Sequence, residues 1–243
     1  MPAPVLTVCD DPAAIAALAA RRIAAAAKET VDQRFRFTLI LAGGSTPRAL
    51  YTRLATIDRD SLPWHATTLL FGDERCVGPD HADSNYRMVN ESLLTHLPPR
   101  SAQVYRIRGE LGASAAASEY DVIAHKIRNN DPEERFDVVL LGMGADGHTA
   151  SLFPGRDFSA DVKSFAAPAI APPASPVRDR VTLTLRAIAD SRRVLFLVAG
   201  QDKREMLARV LAAAQSGGDP SLPASMIRSS GTIEWIIDRS AAP

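Results

Sequence analysis

FDVVLLGMGADGHTASLFPG, residues 136–155, opens as an apolar run, breaks into glycines, and then sets out Asp146, His148, Thr149 and Ser151 within six residues. Residues 136–141 are almost wholly apolar, the composition of a central parallel strand with helices over both its faces. In a sheet of such strands, ligands bind beyond the carboxyl ends. The polar cluster therefore belongs to a site at the end of this strand. Gly142, Gly144 and Gly147 allow the backbone to turn tightly there and a ligand to come close.

Outward from this stretch, strand-like and helix-like segments alternate. Strands are predicted at 5–8, 37–42, 67–72, 104–107, 181–185, 194–199 and 232–238, in addition to 136–141. Helices are predicted at 12–30 and 47–55. A third, capped by Ser84, repeats Tyr86, Val89, Leu93 and Leu97 at helical spacing. Tyr120, Ile123 and Ile127 mark a fourth, and Asp202 is expected to cap a fifth that runs through Ala214. The charged residues after 72 read as a loop. Residues 153–180 hold five prolines and little periodicity, which reads as a loop or lid. The βαβα order predicts an α/β fold with a mostly parallel, doubly wound sheet flanked by helices on both faces. No shift in composition marks a boundary, so 1–243 is read as one domain.

Composition narrows the function classes. The 243 residues carry 28 basic and 28 acidic side chains, so no global field recruits nucleic acid or an anionic membrane. Any anion site must be local. Cys9 and Cys76 form no CxxC pattern and the start shows neither a basic nor an apolar leader region, which predicts a reduced, cytoplasmic protein. The alanine-rich run from Ala13 to Ala27 is interrupted by Arg21 and Arg22, so it reads as an ordinary helix and not a membrane span. The expected partner is a small-molecule substrate, with no nucleic acid and no membrane, and the chain is taken as a monomer.

A second informative stretch is LILAGGSTPRALYTRL, residues 39–54. An apolar strand runs into Gly43 and Gly44, Ser45 or Thr46 is placed to cap, and Pro47 falls in the first helical turn. A plain strand-to-helix turn and a phosphate site on the helix N-terminus both call for this pattern. The strand at 67–72 ends in Asp73, Glu74 and Arg75, read either as a solvated turn or as a substrate clamp. Lys203 sits in a first helical turn, where a cation opposes the helix dipole unless an anion neutralises both. Arg178, Arg180 and Arg186 flank the VTLTL strand, and at most two of them are expected to face a ligand.

Several other readings fail on the residues. GMGADG matches G-x-G-x-x-G, but it lies mid-chain and runs into a proline-rich stretch, so the dinucleotide reading is rejected. Residues 43–47 lack the GKS or GKT ending of a Walker loop. G-x-S-x-G does not occur. No second His or Cys stands at ligand spacing from His148, so no metal is expected.

LAGGSTP, FGDERCV followed by DSNYRM, LLGMGADGHTASLFPG, RVTLTL, VAGQDKREML and EWIIDRSAA occur in this order along nearly the whole chain. In these motifs the sequence resembles the 6-phosphogluconolactonase family, in the fold group of glucosamine-6-phosphate deaminase. The resemblance implies a Rossmann-like sheet and hydrolysis of 6-phosphoglucono-1,5-lactone without cofactor or metal. It implies His148 as the catalytic base and places the phosphate near Ser45, Arg75 and Lys203. Two departures stand out. APPASPVRDR lacks the lysine that relatives tend to carry before RVTLTL, and Arg186 stands where they tend to have proline. Arg180 remains a candidate contact.

These residues suit the implied chemistry. An imidazole can take a proton from water near neutral pH, and Asp146, two residues from His148, is placed to orient the ring or stabilise the imidazolium. Backbone NH groups at 43–44 or 142–147, Gly144 among them, are candidate oxyanion donors. Two rivals are a sugar-phosphate isomerase or deaminase, which by resemblance would read FNEP where this chain has SLFP, and a non-catalytic sugar-phosphate sensor.

Overall fold

The computed structural model describes residues 4–128, 135–158 and 163–243. Seven parallel strands form the main sheet: β1 (Val5–Cys9), β2 (Phe37–Leu41), β3 (Thr67–Phe71), β5 (Gln103–Val104), β6 (Phe136–Leu141), β9 (Ser191–Val198) and β10 (Thr232–Asp238), in the order β1-β10-β9-β6-β2-β3-β5. A smaller antiparallel sheet, absent from the sequence reading, runs β4-β8-β7 over Asp73–Arg75, Asp179–Leu183 and Ala166–Ile170. The helices are α1 (Pro12–Arg34), α2 (Ser45–Ala55), α3 (Asn85–Ser92), α4 (Ala113–Arg128), α5 (Leu185–Ala189) and α6 (Arg204–Gln215). Every residue of β6 is buried, which a strand achieves only when both sheet faces are covered.

The chain leaves β2 for β3 and β5 on one side, returns to β6 on the other, and continues to β9 and β10. β2 and β6 pair directly, Leu39 opposite Val138 and Ile40 opposite Val139. Their carboxyl ends therefore form the switch point at which doubly wound sheets open a crevice. Two buried tyrosines hold the strand ends beside it. The Tyr51 hydroxyl of α2 accepts from the Ala42 NH and donates to the Ala42 carbonyl, each at 2.8 Å. The Tyr120 hydroxyl of α4 does the same for Phe71, at 2.6 and 3.0 Å. Burial pushes both phenols far up, so they remain donors.

The second sheet branches from the first at Gly72, whose NH donates to Leu41 and whose carbonyl accepts from Leu183. The charged residues at 73–75 are therefore strand β4 and not a loop. The proline-rich 153–180 stretch also contains structure, namely β7 and the start of β8; its residues 159–162 lie outside the described residues. β7 is an edge strand, where Pro168 sacrifices no inner ladder bond. Alanine and proline there concealed the strand from pattern reading. The strand expected at 181–185 ends at Leu183, because the Thr184 side chain accepts from the Ala187 NH at 3.1 Å and starts α5. Of 104–107 only Val104 is in a strand. Asp202 does not cap α6: the helix begins after a 3-10 turn over 201–203, with Lys203 at the cap.

Ser84 caps α3 as expected, accepting from the Arg87 NH at 3.1 Å. Its remaining first-turn donors are met by Glu74, 2% exposed, which accepts from the NH groups of Asn85 and Tyr86 at 2.7 and 2.8 Å. The same carboxylate accepts from the Arg75 NH and the Ser84 hydroxyl. Burial raises the Glu74 pKa while these backbone donors pull it down. Glu74→Ala should strand buried donors and lower the unfolding free energy by about 3 kcal/mol. Urea titration measures this, and a loss below about 1 kcal/mol would show that water satisfies those donors instead.

Candidate active site

A cleft of about 510 Å³ lies at the carboxyl ends of β2, β3, β6 and β9. Its wall includes Gly43, Gly44, Ser45, Thr46, Asp73, Arg75, Gly144, His148, Arg180 and Lys203. The fold thus brings together side chains drawn from five separate places in the sequence. Asp146 stands behind His148 and not in the wall. Of the three arginines near VTLTL only Arg180 enters: Arg178 donates to Ala171, and Arg186 donates to Lys163 and lies over the Phe165 ring.

The loop after β6 is built around one imidazole. His148 Nδ1 lies 2.5 Å from Asp146 Oδ1, and the same oxygen accepts from the His148 NH at 3.2 Å. The hydrogen bond from His148 holds the Asp146 carboxyl below its ordinary range, so the group is ionised and can only accept. The ring proton then sits on Nδ1, leaving the Nε2 lone pair available. The Phe153 ring packs against the imidazole at 4.8 Å between centroids.

Gly144 has a steric role here. A Cβ at that position would come within 2.1 Å of His148 Nδ1. Its NH donates to the His148 carbonyl at 2.9 Å, and the Gly147 NH donates to the Gly144 carbonyl at 3.1 Å. Both NH groups are thus spent, which corrects the expectation that they stabilise an oxyanion. Gly147, at φ 82°, makes the turn itself.

At the β2 end the helix cap differs from expectation. Gly44, at φ 104°, is the N-cap of α2 and no side chain caps it, so Ser45 and Thr46 lie within the first turn with hydroxyls uncommitted to the cap. Their NH groups have no partner within the helix, as at any helix start, and the terminus attracts anions. Asn85, which sequence reasoning quoted within a motif but did not assign, packs against Gly43, where a Cβ would meet its Oδ1 at 2.2 Å.

Asp73 is a joint as well as a wall residue. It is 8% exposed, accepts from the Ser151 hydroxyl at 2.6 Å and from Asn85 Nδ2 at 3.1 Å, and so ties the loop after β6 to α3. Ser151 and Asn85 are polar residues following a glycine-histidine turn and a helix cap. Their long-range partner is invisible in a linear reading.

Three cations line the cleft. Arg75 on β4 and Arg180 on β8 stand directly opposite each other in the register. Arg180 is only 6% exposed, and its guanidinium donates to the Val177 carbonyl and the Ser175 hydroxyl, with no carboxylate partner among the described residues. Burial and then the Arg75 charge lower its pKa. Arg75 donates to the Asp83 carbonyl, and its Nε is buried without a partner. Lys203 pairs with Asp202 at 3.2 Å. Buried positive charge without full compensation is costly, and a bound anion relieves that cost.

Among the described residues no three His, Cys, Asp or Glu side chains gather as a metal-ligand set, and no helix is long and apolar enough to cross a membrane.

The family model for glucosamine-6-phosphate isomerases/6-phosphogluconolactonase matches residues 10–235. A 6-phosphogluconolactonase of Rattus norvegicus is 36% identical over 249 aligned residues, covering 99% of this chain and 94% of its own. The crystal structure of a 6-phosphogluconolactonase from Leishmania guyanensis matches with a TM-score of 0.84 at 30% identity, over 98% of this chain and 97% of that one. A monomeric glucosamine-6-phosphate deaminase matches at 0.80 and 22% identity over 98% of each chain, a likeness of fold alone.

The Asp146–His148 pair has a measurable consequence. The carboxylate accepts at Nδ1 and so fixes the ring proton there. NMR of the ring nitrogens should show the neutral ring chiefly as the Nδ1-protonated tautomer, and Asp146→Asn should lose that preference. A ring protonated chiefly at Nε2 in the unaltered protein would contradict the pairing.

Proposed function

This chain belongs to the glucosamine-6-phosphate isomerase/6-phosphogluconolactonase family, and from that premise we propose that it opens 6-phosphoglucono-1,5-lactone to 6-phosphogluconate with His148 as general base. It is an enzyme of the 6-phosphogluconolactonase kind, a carboxylic ester hydrolase. The observation that carries the mechanism is the Asp146–His148 pair, which leaves Nε2 as the free base in a cleft that Arg75, Arg180 and Lys203 also line.

The lactone phosphate docks against the α2 N-terminus with the Ser45 and Thr46 hydroxyls, Arg75, Arg180 and Lys203. This sets the ring so that its C1 carbonyl faces His148. Nε2 takes a proton from water as the water oxygen adds to C1, and Asp146 stabilises the imidazolium that forms. The NH groups of the Gly43–Gly44 turn receive the developing oxyanion. Collapse breaks the bond from C1 to the ring oxygen, and the imidazolium returns its proton to that oxygen as the hydroxyl of the product. Asp73 supports the cleft through Ser151 and Asn85 and presents its carboxylate to the sugar hydroxyls.

The same fold also occurs in a deaminase, so the choice rests on the loop after His148. The glutamate that the FNEP pattern would bring is replaced in SLFP by Phe153, whose ring packs on the imidazole. A phenyl ring cannot relay a proton to a sugar ring oxygen, whereas an ester needs only activated water and an oxyanion site.

His148→Asn should lower kcat for 6-phosphogluconolactone by about 100-fold or more with KM little changed, after subtraction of the spontaneous rate. The unaltered protein should release no ammonia from glucosamine 6-phosphate. Wild-type turnover in the variant would end the general-base role, and ammonia release at a rate comparable with lactone hydrolysis would reassign the activity.

A further inference from the structure

The residues between β7 and β8 form a compact tip over the cleft. The Ala171 NH donates to the Arg178 carbonyl at 2.8 Å, closing the loop, and the Ser175 NH donates to the Pro172 carbonyl at 2.9 Å, making a turn at its apex. Pro172, Pro173 and Pro176 stiffen it. At the apex Ser175 is partly buried and lines the cleft. Its hydroxyl oxygen lies 2.9 Å from Arg180 Nη2. A guanidinium only donates, so Ser175 accepts in this bond and its own O–H proton remains to be given elsewhere. Among the described residues no protein acceptor receives it.

Arg180 cannot follow a ligand freely. It is 6% exposed and pinned by the Val177 carbonyl at 3.0 Å as well as by Ser175. The guanidinium and the hydroxyl are therefore presented as one unit, a donor pair that lines the cleft. Arg75 stands opposite in the strand register, its Nε buried without a partner.

We propose that Ser175 is a specificity-determining residue: its hydroxyl donates to the substrate phosphate while it accepts from Arg180, so that the loop between β7 and β8 completes the anion site. The inference rests on the placement of the phosphate under Proposed function. It adds a neutral donor to the cationic set and makes recognition of the phosphate depend on the seating of this loop. A hydroxyl adds little Coulomb attraction. Its contribution is a directed bond to a charged oxygen, one that exists only for a phosphorylated ligand.

Steady-state kinetics on 6-phosphogluconolactone and on the unphosphorylated 1,5-gluconolactone test this. Ser175→Ala should raise KM for the phosphorylated substrate roughly tenfold, keep kcat within about twofold, and lower the kcat/KM preference for phosphorylated over unphosphorylated lactone by a similar factor. Ser175→Thr, which keeps the hydroxyl, should restore most of that preference. Lys203→Ala serves as the separate check on the phosphate site itself. If Lys203→Ala raises KM and Ser175→Ala does not, the role of Ser175 is overturned and the phosphate site stands. If neither raises it, both fall. Equal losses on the two lactones in Ser175→Ala would show a purely structural loop residue and would also overturn the proposal.

Discussion

Asp73 and Glu74, adjacent and buried at the start of β4, hold the loops of the cleft in register with one another. Glu74 satisfies the first-turn donors of α3, while Asp73 ties Asn85 of that helix to Ser151 of the β6 loop. A buried carboxylate is costly unless donors surround it, and here the donors are the very groups whose positions must be fixed. Asn85 in turn packs against Gly43. The helix terminus after β2 and the imidazole loop after β6 are thereby joined through two side chains, with no need for direct contact between the loops themselves.

A second constraint is the concentration of charge in the cleft. The whole chain is neutral, yet Arg75, Arg180 and Lys203 line the same cleft as His148, which Asp146 holds. The parallel sheet makes this possible, because strand ends from distant parts of the sequence meet along one edge. The antiparallel β4-β8-β7 sheet then carries the two arginines over that edge. In the reaction proposed above, the cations bind the part of the substrate that does not react, and their binding energy orients the carbonyl at the imidazole.

Most of the frame was legible in sequence because its signals are local. The apolar run at 136–141, the Ser84 cap and the glycine turns after β2 and β6 depend on neighbouring residues alone. So does the placement of His148 and Lys203 at strand ends. Legibility failed where a residue acts through a distant partner. Residues 73–75 looked like a charged loop because their strand pairs with 179–183. Residues 166–170 looked irregular because an edge strand tolerates proline. Gly144 looked like an oxyanion donor, although its NH is spent within its own turn and its lack of a side chain makes room for the ring. Asp202 looked like a cap, but the chain inserts a 3-10 turn before α6.

The orientation of the substrate is the central claim, and a crystal structure with 6-phosphogluconate bound tests it most directly. The account predicts the phosphate among Ser45, Thr46, Arg75, Arg180 and Lys203, with the C1 carboxylate within hydrogen-bond distance of His148 Nε2. A phosphate seated at His148, with C1 directed towards the arginines, would contradict it.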